Sequence, residues 1–387
     1  MTAEQHRLVG DLARAIDESD FAWSLVLVGE DQSSKLAELT GDLRGRYSAT
    51  GDGKQITSGY SYWGIGPTIA WAHACSDPFY LVMKQSLESF TRRWRKVRAK
   101  LDDVPRHYVS FGVGTGAKDR HVVEHLLARN PDMFYVPIDM SSEMLRLGTQ
   151  ESTRGLALSN HQVVPIQLDI SLTENLAELR DMLHRLVGDE PVLYSLLGNT
   201  MANFDDDTGL LTGLTGLLRP QDRFLLEVAT TDELSDELAG EAVEEYSRSR
   251  AYREFVTSAL LHNTDLTINM DAVVFRGAVE ERRALRVKVM YQNKTGADVK
   301  MMLPDRTQVP FTEGDTIRLY LTRKYERAAL DGLVRDAGMR KITGTHSDFQ
   351  LARSANGFGM DLVLMAPAAG EVPAPRSTSR ADEIWRS

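Results

Sequence analysis

Ser110-Phe111-Gly112-Val113-Gly114-Thr115-Gly116 follows the apolar run at 107–112 and precedes a helix-forming stretch at 117–129. The order strand, glycine turn, helix decides the fold class. Glycines let a backbone turn tightly and approach a ligand, and the helix behind them offers free N–H groups and the positive end of its dipole. Outward from there, short apolar runs at 134–138, 162–168, 192–197 and 224–229 alternate with helical stretches at 142–150, 173–187 and 206–218. Strands alternating with helices imply βαβ units and a parallel sheet covered on both faces. The expected fold is α/β, doubly wound and Rossmann-like. Ligands bind such sheets at the carboxyl ends of strands, here near Gly112, Asp139, Asp169 and Gly198.

The flanking sequence is less regular. Residues 3–17 place Leu8, Leu12, Ala13 and Ile16 on one helical face, a surface that would suit a homodimer as well as a monomer. The 48–68 stretch, with Gly59, Tyr60, Tyr62, Trp63, Gly64 and Pro67, reads as a loop whose aromatics are costly to leave in water. Helix is expected at 78–100. After 232 the alternation breaks: helix at 232–262, strands at 264–279, 284–292 and 316–321, helix at 325–337, and a last strand at 360–366. This divides the chain into an N-terminal helical and aromatic part of a substrate domain (1–85), the core (86–231), an inserted substrate-domain segment (232–313) and a return to the core (314–366). The Ala-, Pro-, Ser- and Arg-rich tail (367–387) is expected to be disordered.

The 387 residues suggest more than one domain, and a net charge of −10 argues against nucleic acid or anionic membrane as partners. The basic run Arg92, Arg93, Arg95, Lys96, Arg98 and Lys100 reads as a solvated helix face. With Cys75 the single cysteine, no intrachain disulfide forms, and a reducing cytoplasm is the expected compartment. Neither a signal segment nor a membrane span is legible. The nine histidines are scattered; His121 and His125 share a helix face but lack an evident third ligand, so no metal is expected.

Asp139 closes the second strand, where a carboxylate suits the two hydroxyls of a ribose. Asp169 closes the third and could accept from an adenine amino group. Either alone could merely cap a helix, but with the glycine turn they describe an adenosine pocket. NAD(H) and S-adenosylmethionine both fit it, because Ala117 is allowed in the last position of a dinucleotide fingerprint.

Gly112-Val113-Gly114-Thr115-Gly116-Ala117-Lys118, Tyr135-Val136-Pro137-Ile138-Asp139-Met140-Ser141 and Leu197-Gly198-Asn199-Thr200-Met201-Ala202-Asn203-Phe204 together resemble the histidine-specific methyltransferase family. Phe311-Thr312-Glu313-Gly314-Asp315-Thr316-Ile317 and Arg323-Lys324-Tyr325 extend the resemblance, which covers roughly 55–366. It implies a class I methyltransferase domain with a second, discontinuous α+β substrate-binding domain, S-adenosylmethionine as cofactor, and methylation of a small amine. By position, Gly112, Gly114, Gly116 and Asn199 would line the cofactor. Lys118 would face its methionine carboxylate, Asp139 its ribose and Asp169 its adenine. Asn203 would contact the substrate, with Tyr62, Trp63 and Tyr80 (or Phe79) as aromatic neighbours.

One departure bears on the substrate. The family's histidine-recognising members carry Glu-x-Ser before a Lys-aromatic pair, whereas this chain has Tyr320-Leu321-Thr322. A phenol supplies no charge at pH 7, so the acceptor is expected to be an amino acid or small amine other than histidine. Tyr62, Asn203 and Tyr320 are the expected catalytic set, and Tyr62, Trp63, Tyr80, Asn203, Tyr320 and Thr322 the substrate contacts. Methylation of a guanidino nitrogen, carbon or oxygen, a cofactor-binding subunit without turnover, and a nicotinamide enzyme are the alternatives.

Overall fold

The computed structural model describes residues 25–29, 32–45, 53–349 and 357–368. The helix expected at 3–17 and nearly all of the tail lie outside these residues. Two short strands, β1 (Val26–Leu27) and β2 (Lys54–Gln55), come first. The core strands are β3 (His107–Phe111), β4 (Tyr135–Asp139), β5 (Ile166–Gln167), β6 (Val192–Leu196) and β7 (Arg223–Thr231). They run parallel in the order β1-β5-β4-β3-β6-β7. The order reverses between β3 and β6, and the loops that leave their ends diverge there to open a crevice.

Later strands are β8 (Val273–Glu280), β9 (Ala284–Gln292), β10 (Val299–Met302), β11 (Gln308–Phe311), β12 (Thr316–Glu326), β13 (Met339–Asp348) and β14 (Gly359–Pro367). β14 lies antiparallel on the free edge of β7, followed by β13. β7 outruns β6, and its last residues Thr230 and Thr231 pair with Tyr325 and Glu326 of β12. From that junction β12, β9 and β8 continue the same sheet in antiparallel order.

The helices are α1 (Gln32–Arg44), α2 (Ile65–Ser76), α3 (Leu81–Arg98), α4 (Ala117–Leu127), α5 (Ser142–Thr153), α6 (Thr173–Val187), α7 (Asp207–Thr215), α8 (Asp236–Ser247), α9 (Arg250–Asn263) and α10 (Arg327–Asp336). Successive strand residues face opposite sides, and the core follows that alternation. Val109 and Phe111 join Leu179 and Leu183 of α6 and Leu211 and Leu214 of α7 in one cluster. Tyr108, on the opposite face, joins Trp94 of α3 and Val122 and Leu126 of α4 in another. A third cluster, under β8, β9 and β12, is rich in rings from α2 and α9. Among the described residues no helix is long and apolar enough to cross a membrane.

The departures from the sequence reading have local causes. The helix expected at 232–262 is two, α8 and α9, because Ser249 caps the second by accepting from the Tyr252 N–H at 2.9 Å. Residues 65–76, read partly as loop, form α2. Its Pro67 sits in the first turn, where a missing N–H costs nothing. β13 was not expected, since its exposed or half-exposed Arg340, Lys341 and Thr343 suit a sheet edge and carry no apolar alternation. Within the span 314–366, expected as a return to the core, β12 pairs with β9 over Thr316 to Tyr325 and meets the core strand β7 only at Tyr325 and Glu326.

Candidate functional site

A cavity of about 420 Å³ occupies the crevice between β3 and β6. Its floor is the glycine turn: Gly112, Gly114 and Gly116 have φ of 65°, 55° and 74°. Gly116 also lies against α5, where a Cβ would come 2.0 Å from the Gly148 carbonyl oxygen. This turn needs glycine for both conformation and space.

Lys118, in the first turn of α4, donates from Nζ to Ser86 Oγ at 2.6 Å and to Glu227 Oε2. Glu227, fully buried on β7, also accepts from Arg93 Nη2 at 2.5 Å and from the Gly198 N–H at 2.7 Å. Burial pushes the Glu227 carboxyl up, but Lys118 and Arg93 overcome it and hold it at about 2. Lys118 lines the cavity beside Asp119, where burial lowers its ammonium below the usual lysine range although Glu227 and Asp119 favour the charged form; Arg93 stays behind it in the core. Arg93, expected on a solvated face, is therefore buried, while Arg92, Arg95, Lys96 and Lys100 are exposed. His121 and His125 fasten α4 to α3: His121 Nε2 lies 3.1 Å from Thr91 Oγ1, and His125 Nδ1 3.4 Å from Arg98 Nη1.

Asp139 and Asp169 line the same cavity. Asp139 accepts from the Ser141 N–H at 3.1 Å, and burial raises its carboxyl to about 6 against the backbone hydrogen bonds that favour the anion. Asp169 accepts from Lys35 of α1 at 2.7 Å and from Ser171 Oγ at 2.6 Å. Burial works to raise Asp169, yet the Lys35 ammonium outweighs it and keeps the carboxyl below its ordinary range.

Tyr62 and Asn203 line both this cavity and a side cavity of about 20 Å³, which Tyr80, Tyr320 and Thr322 also line. The Tyr62 and Tyr320 hydroxyls are 2.5 Å apart, and Asn203 Nδ2 donates to the Tyr62 hydroxyl at 3.5 Å. Burial raises Tyr62, Tyr80 and Tyr320 above the usual phenol range, so all three stay neutral. Tyr320 and Thr322 share a strand face two residues apart, which is why both reach the side cavity.

Trp63 lines neither cavity. Its ring packs edge-on against Tyr60 at 5.9 Å, and Trp71 of α2 takes the wall position instead, 5.2 Å from Tyr62. Phe79 is exposed, so Tyr80 is the aromatic at this wall. Asn199, in the left-handed conformation, lines the side cavity rather than the main one. It accepts from the Ala229 N–H at 2.8 Å and donates to Thr322 Oγ1 and the Arg323 carbonyl at 3.2 Å, stitching three segments together. Sequence reasoning missed Trp71, Ser86, Arg93 and Glu227. Trp71 was hidden by the loop reading of its flank, while Glu227 lay inside an apolar strand run whose one acid is itself a burial signal.

The donor and acceptor set fits S-adenosylmethionine: carboxylates for ribose and adenine, a turn open to close approach, and positive charge for an α-carboxylate. No functionally curated protein matches the chain in sequence. Similar solved structures include the CcbJ methyltransferase of Streptomyces caelestis, at 16% identity, TM-score 0.34, over 71% of this chain and 89% of that one. The magnesium protoporphyrin IX methyltransferase of Synechocystis with bound SAH matches at 9% identity, TM-score 0.41, over 80% and 97%. The glycopeptide N-methyltransferase MtfA complexed with S-adenosylmethionine matches at 12% identity, TM-score 0.32, over 70% and 92%. The profile of the histidine-specific, S-adenosylmethionine-dependent methyltransferases matches residues 47–352, and the chain belongs to that family.

Proposed function

We propose that the chain methylates a nitrogen of an amino acid or related small amine, and that histidine is not its acceptor. The observation that supports this best is the neutral aromatic wall beside the cofactor cavity. Tyr62 and Trp71 line both cavities and Tyr320 the side cavity, and such rings favour a cationic amine through their quadrupoles.

The cofactor supplies an activated methyl group on a sulfonium, so the chain's own task is chiefly orientation. An amine reacts only as the free base. The raised phenols cannot take its proton as phenoxides at neutral pH; they accept N–H hydrogen bonds and steer the lone pair, while the proton leaves to solvent. Asn203, whose amide reaches Tyr62, holds the acceptor or its hydroxyl partner. None of the side cavity's lining residues is a carboxylate, so an imidazole that entered it would meet no anionic acceptor there, which speaks against histidine.

Titration calorimetry with S-adenosylhomocysteine, followed by mass spectrometry of amine panels incubated with S-adenosylmethionine, tests the reading. Gain of a methyl group on an amine nitrogen is the expected result. Product methylated only on guanidino nitrogen, carbon or oxygen moves the assignment to that atom. Tight cofactor binding with no product from any acceptor points to a non-catalytic subunit.

A further inference from the structure

We infer that the acceptor is a compact, uncharged-side-chain amine, of the bulk of glycine or alanine, and that Tyr320 is the residue that sets this limit. The inference rests on the amine reading above and narrows it.

The side cavity opens where Tyr62 and Asn203 stand, and about 20 Å³ is room for roughly one water. A substituent beside the reacting nitrogen that points there can be little larger than a methyl group. Tyr320 fills the rest. Its hydroxyl is bound to that of Tyr62, and its ring packs against Phe255 at 5.8 Å and Tyr252 at 6.0 Å. The strand beneath is fixed in turn. β12 is irregular between Arg318 and Tyr320, a bulge of the kind that re-aims side chains, and the Leu321 N–H donates to Ser58 Oγ at 3.1 Å.

The wall behind is backed as well. Tyr246 of α8 lines the cavity, and beneath it Lys324 pairs with Glu245 at 2.6 Å, both buried, with the Phe358 and Phe349 rings 4.7 and 5.1 Å from the ammonium. A larger substituent would have to displace a ring held on several sides, and close-packed interiors resist such overpacking.

Initial rates on glycine, alanine, valine, phenylalanine and histidine, with kcat and KM resolved, test the limit in the wild type. The kcat/KM is expected to fall at least about tenfold from alanine to valine, the scale of steric exclusion by added methylenes. Tyr320→Ala should narrow or reverse that ratio, whereas Tyr320→Phe, which keeps the ring, should preserve it. S-adenosylhomocysteine calorimetry checks that each variant retains the cofactor site, and Tyr320→Leu replaces Tyr320→Ala if that variant does not. Valine or phenylalanine used as well as glycine by the wild type overturns the size limit, and an unchanged ratio in a cofactor-binding Tyr320→Ala or Tyr320→Leu overturns the role of Tyr320. In either case the amine reading stands. Cofactor binding with no amine methylated at any size sinks the amine reading itself, and this inference with it.

Discussion

Lys118 and Glu227 form a buried ion pair across the crevice, joining the helix behind the glycine turn to strand β7. Arg93 binds the other oxygen of the same carboxylate and the Gly198 N–H shares the first. One acid thus fixes both loops that diverge at the switch point. Buried charges persist only when paired, and this acid pairs with both Lys118 and Arg93.

Glu227→Gln leaves two buried cations facing a neutral amide. Breaking a buried pair in this way costs about 3–5 kcal/mol, which urea denaturation will read as a lowered midpoint. S-adenosylhomocysteine should raise the Tm of this variant more than that of the wild type, because its carboxylate restores a negative charge. 5′-Methylthioadenosine, which lacks that carboxylate, should give no such excess; an equal excess from both ligands would remove the carboxylate from the argument.

The Asp139 carboxyl sits at about 6, raised by burial. Ribose hydroxyls donate to the anion, so the affinity for S-adenosylhomocysteine is expected to be flat above about pH 7 and to weaken below 6. Asp139→Asn should bind more weakly and lose this pH dependence. The stability effect has the opposite sense. A raised folded-state value means the native protein holds the proton longer than the unfolded chain, so stability declines as pH rises from about 4 to 6. Denaturation midpoints of wild type and Asp139→Asn across that window will show whether the slope belongs to this group.

Asp169 keeps its anionic form through Lys35 and faces the cavity as an acceptor. Asp169→Ala is expected to reduce the preference for S-adenosylhomocysteine over S-inosylhomocysteine, which presents a carbonyl in place of the adenine amino group, by about tenfold. Competitive calorimetry measures it. A preference that survives would mean that other groups read the base.

Gly116→Ala forces a Cβ to 2.0 Å from the Gly148 carbonyl at a φ of 74°. The strain should cost about 1–3 kcal/mol or more and weaken cofactor binding, while Gly155→Ala, which has a similar φ of 68° but open space around it, isolates the conformational part. Comparable losses in the two variants would assign the effect to φ alone.

Read along the chain, the strand–turn–helix alternation, the glycine turn and the carboxylates at two strand ends were all legible, because each depends on neighbours a few residues apart. The sequence by itself determined the α/β core, the crevice and the glycine turn at its floor. It could not show that Trp71 rather than Trp63 forms the wall, that Arg93 is buried beside Glu227, or that Lys35 reaches Asp169 from 134 positions away. Nor could it show that Tyr320 and Tyr62, 258 residues apart, share a hydrogen bond. Only the tertiary structure decided these, because burial and pairing of side chains depend on which segments the sheets bring together. Local periodicity fixes an element's type and face; the chemistry of a site depends on contacts between elements distant in the chain.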